Sequence, residues 1–300
     1  NLGIDTSYAA FSSTGTGANA GTITIDGTGG ANGGAFERGL YLQYSTVTSI
    51  DGDITLLGQG GGDGTDYHNQ GVRLNSSTVM STGVGADAAE INIHGSGGSG
   101  TSYIDGFNAQ YQSLVSSNVA DISIISDGRM LFYHDSRVES KSGNLKFTSN
   151  YLNGNSTGSF HMNSGSIFRA IQGNIDIDAH SEIYVSSLLA GGTVTVDSAT
   201  GPMLVNGVDT PKIFAETAIL NAYGSVGTSG DPLYANVVNL SGNSTTGGFY
   251  VNNSVYKKFI DDGDTGHSTT SAAWGTFTSS TPYYQGDSLY VTSGSYPDLS

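Results

Sequence analysis

Apolar and polar residues alternate in short runs along the chain, with an apolar residue at every second position. One set of runs reads apolar, polar, apolar: Ile23-Thr24-Ile25, Ile54-Thr55-Leu56, Ile91-Asn92-Ile93, Ile122-Ser123-Ile124, Leu145-Lys146-Phe147, Ile175-Asp176-Ile177 and Val194-Thr195-Val196. A period of two places alternate side chains on opposite faces of an extended chain. Each run therefore predicts a β-strand with one apolar face.

Two further kinds of run lie between successive members of this set, and they follow in a fixed order. The second kind comprises Leu40-Tyr41-Leu42, Val72-Arg73-Leu74, Leu131-Phe132-Tyr133 and Phe160-His161-Met162. The third kind comprises Ser45-Thr46-Val47, Thr78-Val79-Met80, Ser117-Asn118-Val119, Ser136-Arg137-Val138 and Ser166-Ile167-Phe168. A single trio of strands cannot bury its own apolar face, so the repetition predicts that the trios stack on one another.

The spacing of the trios predicts an all-β, parallel β-helix (a β-solenoid). The shortest step, from Ile175 to Val194, is 19 residues, and the longer steps are explained by loop insertions. Three strands of about five residues with their corners fit this length, and about nine or ten coils stacked ~4.8 Å apart would form a rod of roughly 45 Å. An antiparallel sandwich or barrel is the alternative, but it gives no reason for three unlike strands to recur in order.

Glycine is concentrated at corners and in insertions. Most runs of the first kind follow a Gly-Asp, Gly-Asn or Gly-Thr pair, where we expect a positive φ. The first three insertions, 27–34, 58–69 and 95–103, fall at the same place in the repeat. They predict a ridge along one side of the first three coils, ending at Ile122. The ridge is either a binding edge or loop growth tolerated at one corner.

Composition narrows the class of protein. Only 12% of the 300 residues are charged and the net charge is −16, which disfavours nucleic acid as a partner. The absence of cysteine excludes disulfides and cysteine-based sites. No apolar run approaches the ~18 residues of a membrane span, so we expect no membrane insertion. The chain starts at Asn1 without a methionine or leader pattern, and we interpret it as part of a longer or processed protein.

The segments towards residue 253 resemble those of a known family. The pattern consists of Gly224-Ser225-Val226-Gly227-Thr228 before Pro232-Leu233, then Val237-Val238-Asn239-Leu240, then Gly247-Gly248-Phe249-Tyr250-Val251. It resembles the end of a repeat block in filamentous-haemagglutinin-like adhesins, which are large bacterial exoproteins. The resemblance covers residues 1–255. It implies a right-handed parallel β-helix, export, cell-surface or extracellular display, and a structural or adhesive role.

Residues 256–300 resemble a second module. Asp261-Asp262-Gly263-Asp264, Thr270 with Trp274, and Tyr284-Gln285-Gly286-Asp287 are similar to the opening of a golvesin-like or xanthan-lyase-associated module. His267 departs from the pattern, where an aromatic residue is more usual. The resemblance implies an incomplete β-sandwich in which only the first strands are present. An incomplete sandwich and an incomplete first coil leave strand edges that favour pairing with another chain.

Candidate chemistry is sparse. Asp261, Asp262 and Asp264 resemble half of a Ca²⁺ loop, but the further ligands and the glutamate of such a loop do not follow, so a polar turn is the alternative. The six histidines show no short metal-ligand spacing. Asp176 and Asp178 could pair with Asp121 or Asp197 as an acid and base only if the register of the coils brings them together.

These observations predict no catalytic residues, no cofactor other than the Ca²⁺ considered above, and no enzymatic activity. The predicted function is structural: a stiff rod in an extracellular fibre, sheath or adhesin, with copies of itself or the rest of a longer chain as partners. Two alternatives stay open, a carbohydrate-binding adhesin that recognises surface glycans and a polysaccharide lyase or hydrolase.

Overall fold

A computed structural model describes residues 2–31, 34–65, 67–151, 157–206 and 212–253, together with the backbone of two later strands, 273–285 and 288–295. The described residues form β-strands joined by turns, and they contain no helix that could span a membrane.

The strands of the first four coils are β1 (Ile4–Ser7), β2 (Ala10–Ser13), β3 (Ile23–Thr28), β4 (Leu40–Gln43), β5 (Thr46–Ser49), β6 (Ile54–Gln59), β7 (Val72–Asn75), β8 (Thr78–Ser81), β9 (Ile91–Ser96), β10 (Phe107–Gln110), β11 (Leu114–Ser117) and β12 (Ile122–Asp127). The next strands are β13 (Met130–Phe132), β14 (Arg137–Ser140), β15 (Leu145–Asn150), β16 (Phe160–Met162), β17 (Ile167–Ala170), β18 (Ile175–Ala179), β19 (Ile183–Val185), β20 (Ser187–Ala190) and β21 (Thr193–Ser198). The last are β22 (Met203–Val205), β23 (Ile213–Ala222), β24 (Leu233–Ser244), β25 (Gly248–Asn253), β26 (Ala273–Gln285) and β27 (Ser288–Ser295).

These strands stack into three parallel ladders. The first ladder runs from β1 through every third strand to β22. The second runs from β2 to β20 and the third from β3 to β21, and both continue into the two halves of β23 and β24. The chain passes the ladders in a fixed order and returns to the first ladder one strand further along. This arrangement is consistent with a parallel β-solenoid, and it confirms the predicted all-β fold of stacked parallel strands.

The register of the third ladder confirms the predicted alignment of the repeats. Its hydrogen-bonded partners, taken coil by coil, are Ile23, Ile54, Ile91, Ile122, Leu145, Ile175 and Val194. From Ile54 onward each of these side chains is at most 1% exposed. Burying a large aliphatic side chain contributes about 1.5–3 kcal/mol, so these columns are a main source of stability.

In the fourth coil the second-ladder strand differs from the prediction. It is β11 rather than Ser117-Asn118-Val119. Val115 lies in register between Val79 and Val138 and supplies the buried apolar side chain of this coil. Ser117 instead aligns with Ser81 and Ser140 at the corner that follows.

The expected role of the corner glycines is also wrong. Gly52, Gly143 and Gly173 are not among the residues with positive φ. Glycine is needed there because adjacent coils approach closely: a Cβ atom on Gly143 would lie 2.1 Å from the carbonyl oxygen of Ala120. The Asp or Asn residue that follows each of these glycines forms a hydrogen bond to the next coil. Asn144 Oδ1, for example, accepts from the backbone N–H of Asn174 at 3.0 Å.

Buried serines form a second kind of column at the corners. Ser45, Ser77 and Ser113 follow the first-ladder strands of successive coils and are each 1% exposed. The hydroxyl of Ser77 accepts from the backbone N–H of Ser45 at 3.1 Å and donates to the carbonyl oxygen of Leu42 at 3.0 Å. At the corner these backbone N–H and C=O groups cannot form strand-to-strand hydrogen bonds, and each such serine hydroxyl bonds to them instead.

The last two strands extend the solenoid. β26 pairs in parallel with β24, which continues the third ladder, whereas β27 runs antiparallel to both β25 and β26. The backbone of the region predicted to open a sandwich module is thus paired directly with the end of the coil stack.

Candidate binding face

The three glycine-rich insertions form the predicted ridge, defined here as residues 29–31 with 34–39, 60–65 with 67–71, and 97–106. Backbone hydrogen bonds tie each insertion to its neighbour: Gly61 donates to Glu37 at 2.7 Å, and Ser99 donates to Gly61 at 2.8 Å. The corner tightens after β12 as expected. The ridge therefore stops before Ile122, as predicted, but the later turns are not all tight, since a longer connection lies between Asn150 and Phe160.

An aromatic column runs along the outside of the ridge. The Phe36 ring stacks on His68 with centroids 4.9 Å apart, and His68 stacks on Tyr103 at 4.4 Å. All three residues have positive φ, at 70°, 64° and 53°. Their backbones are held there by coil-to-coil bonds, such as that from the Phe36 N–H to the Tyr67 carbonyl oxygen at 3.0 Å. We call this set the ridge column.

Two arginines, one at the end of the first insertion and one in β7, lie over the same tyrosine ring on the outer face of the first ladder. The guanidinium carbons of Arg38 and Arg73 lie 4.6 and 5.4 Å from the centroid of the Tyr41 ring. Arg38 Nε donates to Gln70 and Arg73 Nη2 donates to Gln110. Burial, and then repulsion by Arg73, lowers the pKa of Arg38 to about 10.

The next coils carry a buried ion pair on the same face. Arg129 Nε lies 2.6 Å from Asp105 Oδ1, and the Asp105 side chain is 1% exposed. Asn108 donates to the other carboxylate oxygen at 2.8 Å. Burial alone would lower the pKa of Arg129, but the charge and hydrogen bond of Asp105, together with Tyr133 and Tyr103, outweigh burial and the pKa is raised.

A second aromatic column lies at the opposite edge of this face, at the corner after each first-ladder strand. Tyr8 stacks on Tyr44 with centroids 5.0 Å apart, and Tyr111 stacks on His134 at 4.6 Å. In the coil between Tyr44 and Tyr111 the equivalent residue is Ser76, which has the same left-handed backbone, with φ at 50°. We call these five residues the corner column.

The outer face of the third ladder carries most of the carboxylates singled out from the sequence. A groove of about 430 Å³ is lined by Asp121, Asn144, Lys146, Asp176 and neighbouring residues. Burial raises the pKa of Asp176, against the attraction of Lys146.

The strand register places two of these carboxylates opposite each other on adjacent coils. Asp178 lies opposite Asp197, with Asn221 donating to Asp197 at 2.6 Å, whereas Asp176 lies opposite Lys146 and Thr195. Asp121 lines the groove together with Asp176, apart from Asp178 and Asp197, and it accepts from the backbone N–H of Asn144 at 2.7 Å. Within the described ranges, no group of three or more acidic or histidine side chains could hold a metal ion.

The calcium candidates Asp261, Asp262 and Asp264, like His267, lie outside the described residues. The other histidines are separated: His68 and His134 belong to the two aromatic columns, and His94, His161 and His180 contact Asp127, Glu182 and Tyr151.

Neither aromatic column was predicted from the sequence. Their successive members are 23 to 36 residues apart, and insertions hide the period. A signal was nevertheless present, since Tyr8, Tyr44 and Tyr111 each follow the last residue of a first-ladder strand.

No protein-family model, curated protein or solved structure matches the chain. The resemblance to filamentous-haemagglutinin-like and golvesin-like proteins therefore remains a hypothesis carried by the quoted residues alone.

Proposed function

We propose that this chain is a stiff structural rod, a right-handed parallel β-helix with coils near 19 residues plus insertions, in an extracellular fibre, sheath or adhesin of a bacterium. The observation that carries the proposal is the third ladder, which runs in parallel register from β3 to β24 and continues into β26 with one register shift between Leu240 and Gly242. Backbone hydrogen bonds and apolar columns then point along one axis, and bending the rod would strain both at once.

Export and surface display belong to the same proposal. They are supported by the resemblance, and the cysteine-free sequence is compatible with them. Self-association is supported by the edges that stacked strands present at the end of a solenoid, which are templates for further pairing.

Two measurements test this function separately. X-ray scattering from the concentrated, oriented protein should show a reflection at ~4.8 Å along the axis, the spacing of stacked coils, and its absence from that direction would contradict the rod. Negative-stain microscopy and sedimentation over a concentration series should show end-to-end assemblies. Free monomers at the highest concentration would remove self-assembly while leaving the rod intact.

A polysaccharide-degrading enzyme is a second candidate because Asp178 and Asp197 lie in register on adjacent coils. Retaining glycosidases hold their carboxyl groups about 5–5.5 Å apart, and neighbouring coils offer that separation. The structural role is favoured because Asn221 and Asn243 continue the same column, as in a ladder of stacked amides. Release of reducing sugar that is lost in Asp178→Asn would overturn this preference.

A further inference from the structure

The corner column has a gap one ring wide. Neighbouring coils are ~4.8 Å apart, so Tyr44 and Tyr111, two coils apart, are separated by about 9.6 Å. Ser76 lies between them and fills little of that space. One face of Tyr44 is covered by Tyr8 and one face of Tyr111 by His134. Their opposite faces look towards Ser76, and the two tyrosines are 47% and 49% exposed.

The backbone holds this gap open. The N–H of Tyr44 donates to Asn75 at 2.9 Å, and the N–H of Ser76 donates to Gln110 at 3.1 Å. The three coils are therefore fixed in register on both sides of the gap. Because strand-to-strand bonds set the spacing, Tyr44 and Tyr111 cannot close on each other without breaking the ladder.

Polar side chains border the gap. Gln43, Asn75 and Gln110 are register partners and each immediately precedes a residue of the corner column. Arg73 donates to the Gln110 carboxamide oxygen at 3.1 Å, which fixes that side chain and leaves its NH₂ group available as a donor.

We infer that the gap at Ser76 binds the pyranose ring of a glycan, sandwiched between Tyr44 and Tyr111. The C–H bonds of a sugar ring carry partial positive charge and favour the negative face of an aromatic ring. The distance between Tyr44 and Tyr111 alone would accept any ring that fits between two aromatic side chains. The carboxamides of Gln43 and Gln110 beside the gap select the sugar, because sugar hydroxyl groups can pair with them whereas an aromatic side chain cannot.

The matched variants differ only at Ser76. Ser76→Tyr completes the column and fills the gap, and tyrosine already adopts the required backbone at Tyr8, Tyr44 and Tyr111. Ser76→Gly leaves the gap open and relieves the positive φ. On a glycan array the full chain should bind at least one oligosaccharide. Titration calorimetry with that oligosaccharide should show at least a tenfold loss of affinity in Ser76→Tyr and little change in Ser76→Gly.

Two further variants and one further ligand complete the test. Tyr44→Ala and Tyr111→Ala should each weaken binding, so the test stands even if Ser76→Tyr does not fold. An array without a hit, or a hit that Ser76→Tyr retains in full, would overturn the proposal. Saturable binding of indole with no sugar bound would assign the gap to an aromatic ring and overturn it as well. None of these results bears on the rod, which scattering tests separately.

Discussion

Asp105 and Arg129 lie on successive coils and form an ion pair of 2.6 Å in which the carboxylate is almost fully buried. Asp105 also accepts from Asn108, so both of its oxygens are occupied. This pair joins the third insertion of the ridge to the coil that follows it.

Arg129→Met should therefore destabilise the fold by about 3–5 kcal/mol, because it leaves a buried carboxylate without its cation. The free energy of unfolding, measured by denaturant titration, checks this. The exposed Arg137 is the matched control, and Arg137→Met should change stability by less than about 0.5 kcal/mol. Equal losses in the two variants would show that the pair contributes nothing specific.

Removing one member of the apolar column should cost about 2–5 kcal/mol, the usual range for a buried isoleucine changed to alanine. Ile122→Ala tests this in mid-stack, where the side chain is 0% exposed. Ser123→Ala on the outer face of the same strand is the control and should be nearly neutral. A small loss in Ile122→Ala would contradict the packed column.

Gly95→Ala should destabilise by about 1–3 kcal/mol or more, since an added methyl group overpacks the contact between coils. A Cβ atom there would lie 1.9 Å from the carbonyl oxygen of Gly106. Gly85 has open space around its Cβ position, so Gly85→Ala is the control. If the melting temperature falls equally in both, close approach is not the reason for glycine at position 95.

Stability should fall on acidification below pH 6.5. Burial, then the charges of Arg38 and Arg73, lowers the pKa of His68 in the folded protein, and burial likewise lowers the pKa of His161. Protonation then favours the unfolded chain, so the contribution of each neutral imidazole is complete above pH 6.5 and is lost as the pH falls through the folded-state pKa.

The matching measurement is the unfolding free energy between pH 7 and pH 5. His68→Phe keeps a ring in the ridge column and should reduce the slope, with the remainder assigned to His161. A slope that is unchanged in His68→Phe/His161→Phe would exclude both groups as its source.

Much of the architecture was predictable because it depends on a local pattern. Ile54, Ile91 and Ile122 each begin an alternating run, and alternation requires no knowledge of distant residues. The corners were not predictable in the same way. Gly95 and Ser126 are register partners although they share neither size nor polarity. Position 95 requires glycine because a backbone carbonyl group packs directly against it, whereas the hydroxyl of Ser126 donates a hydrogen bond to a backbone carbonyl group.

The candidate site was the least predictable part. Tyr44 and Tyr111 are 67 residues apart, and their relationship depends on Ser76 being aligned between them, which only the register shows. Exposed positions carry no apolar period, and insertions of different length separate them. Where candidate chemistry was proposed from the sequence, at Asp178 and Asp197, the alignment of the coils decided which carboxylates meet.

The parallel ladders have a mechanical consequence. Every inter-coil hydrogen bond points along the axis, so a force applied to the chain ends opens these bonds one after another instead of loading many at once. Under tension the molecule would release one coil at a time, and the released lengths would follow the sequence: 37 residues between Ile54 and Ile91, but 19 between Ile175 and Val194. Such a protein resists bending as a whole and yet lengthens in small, unequal increments, so that local unravelling relieves a load before the entire stack gives way.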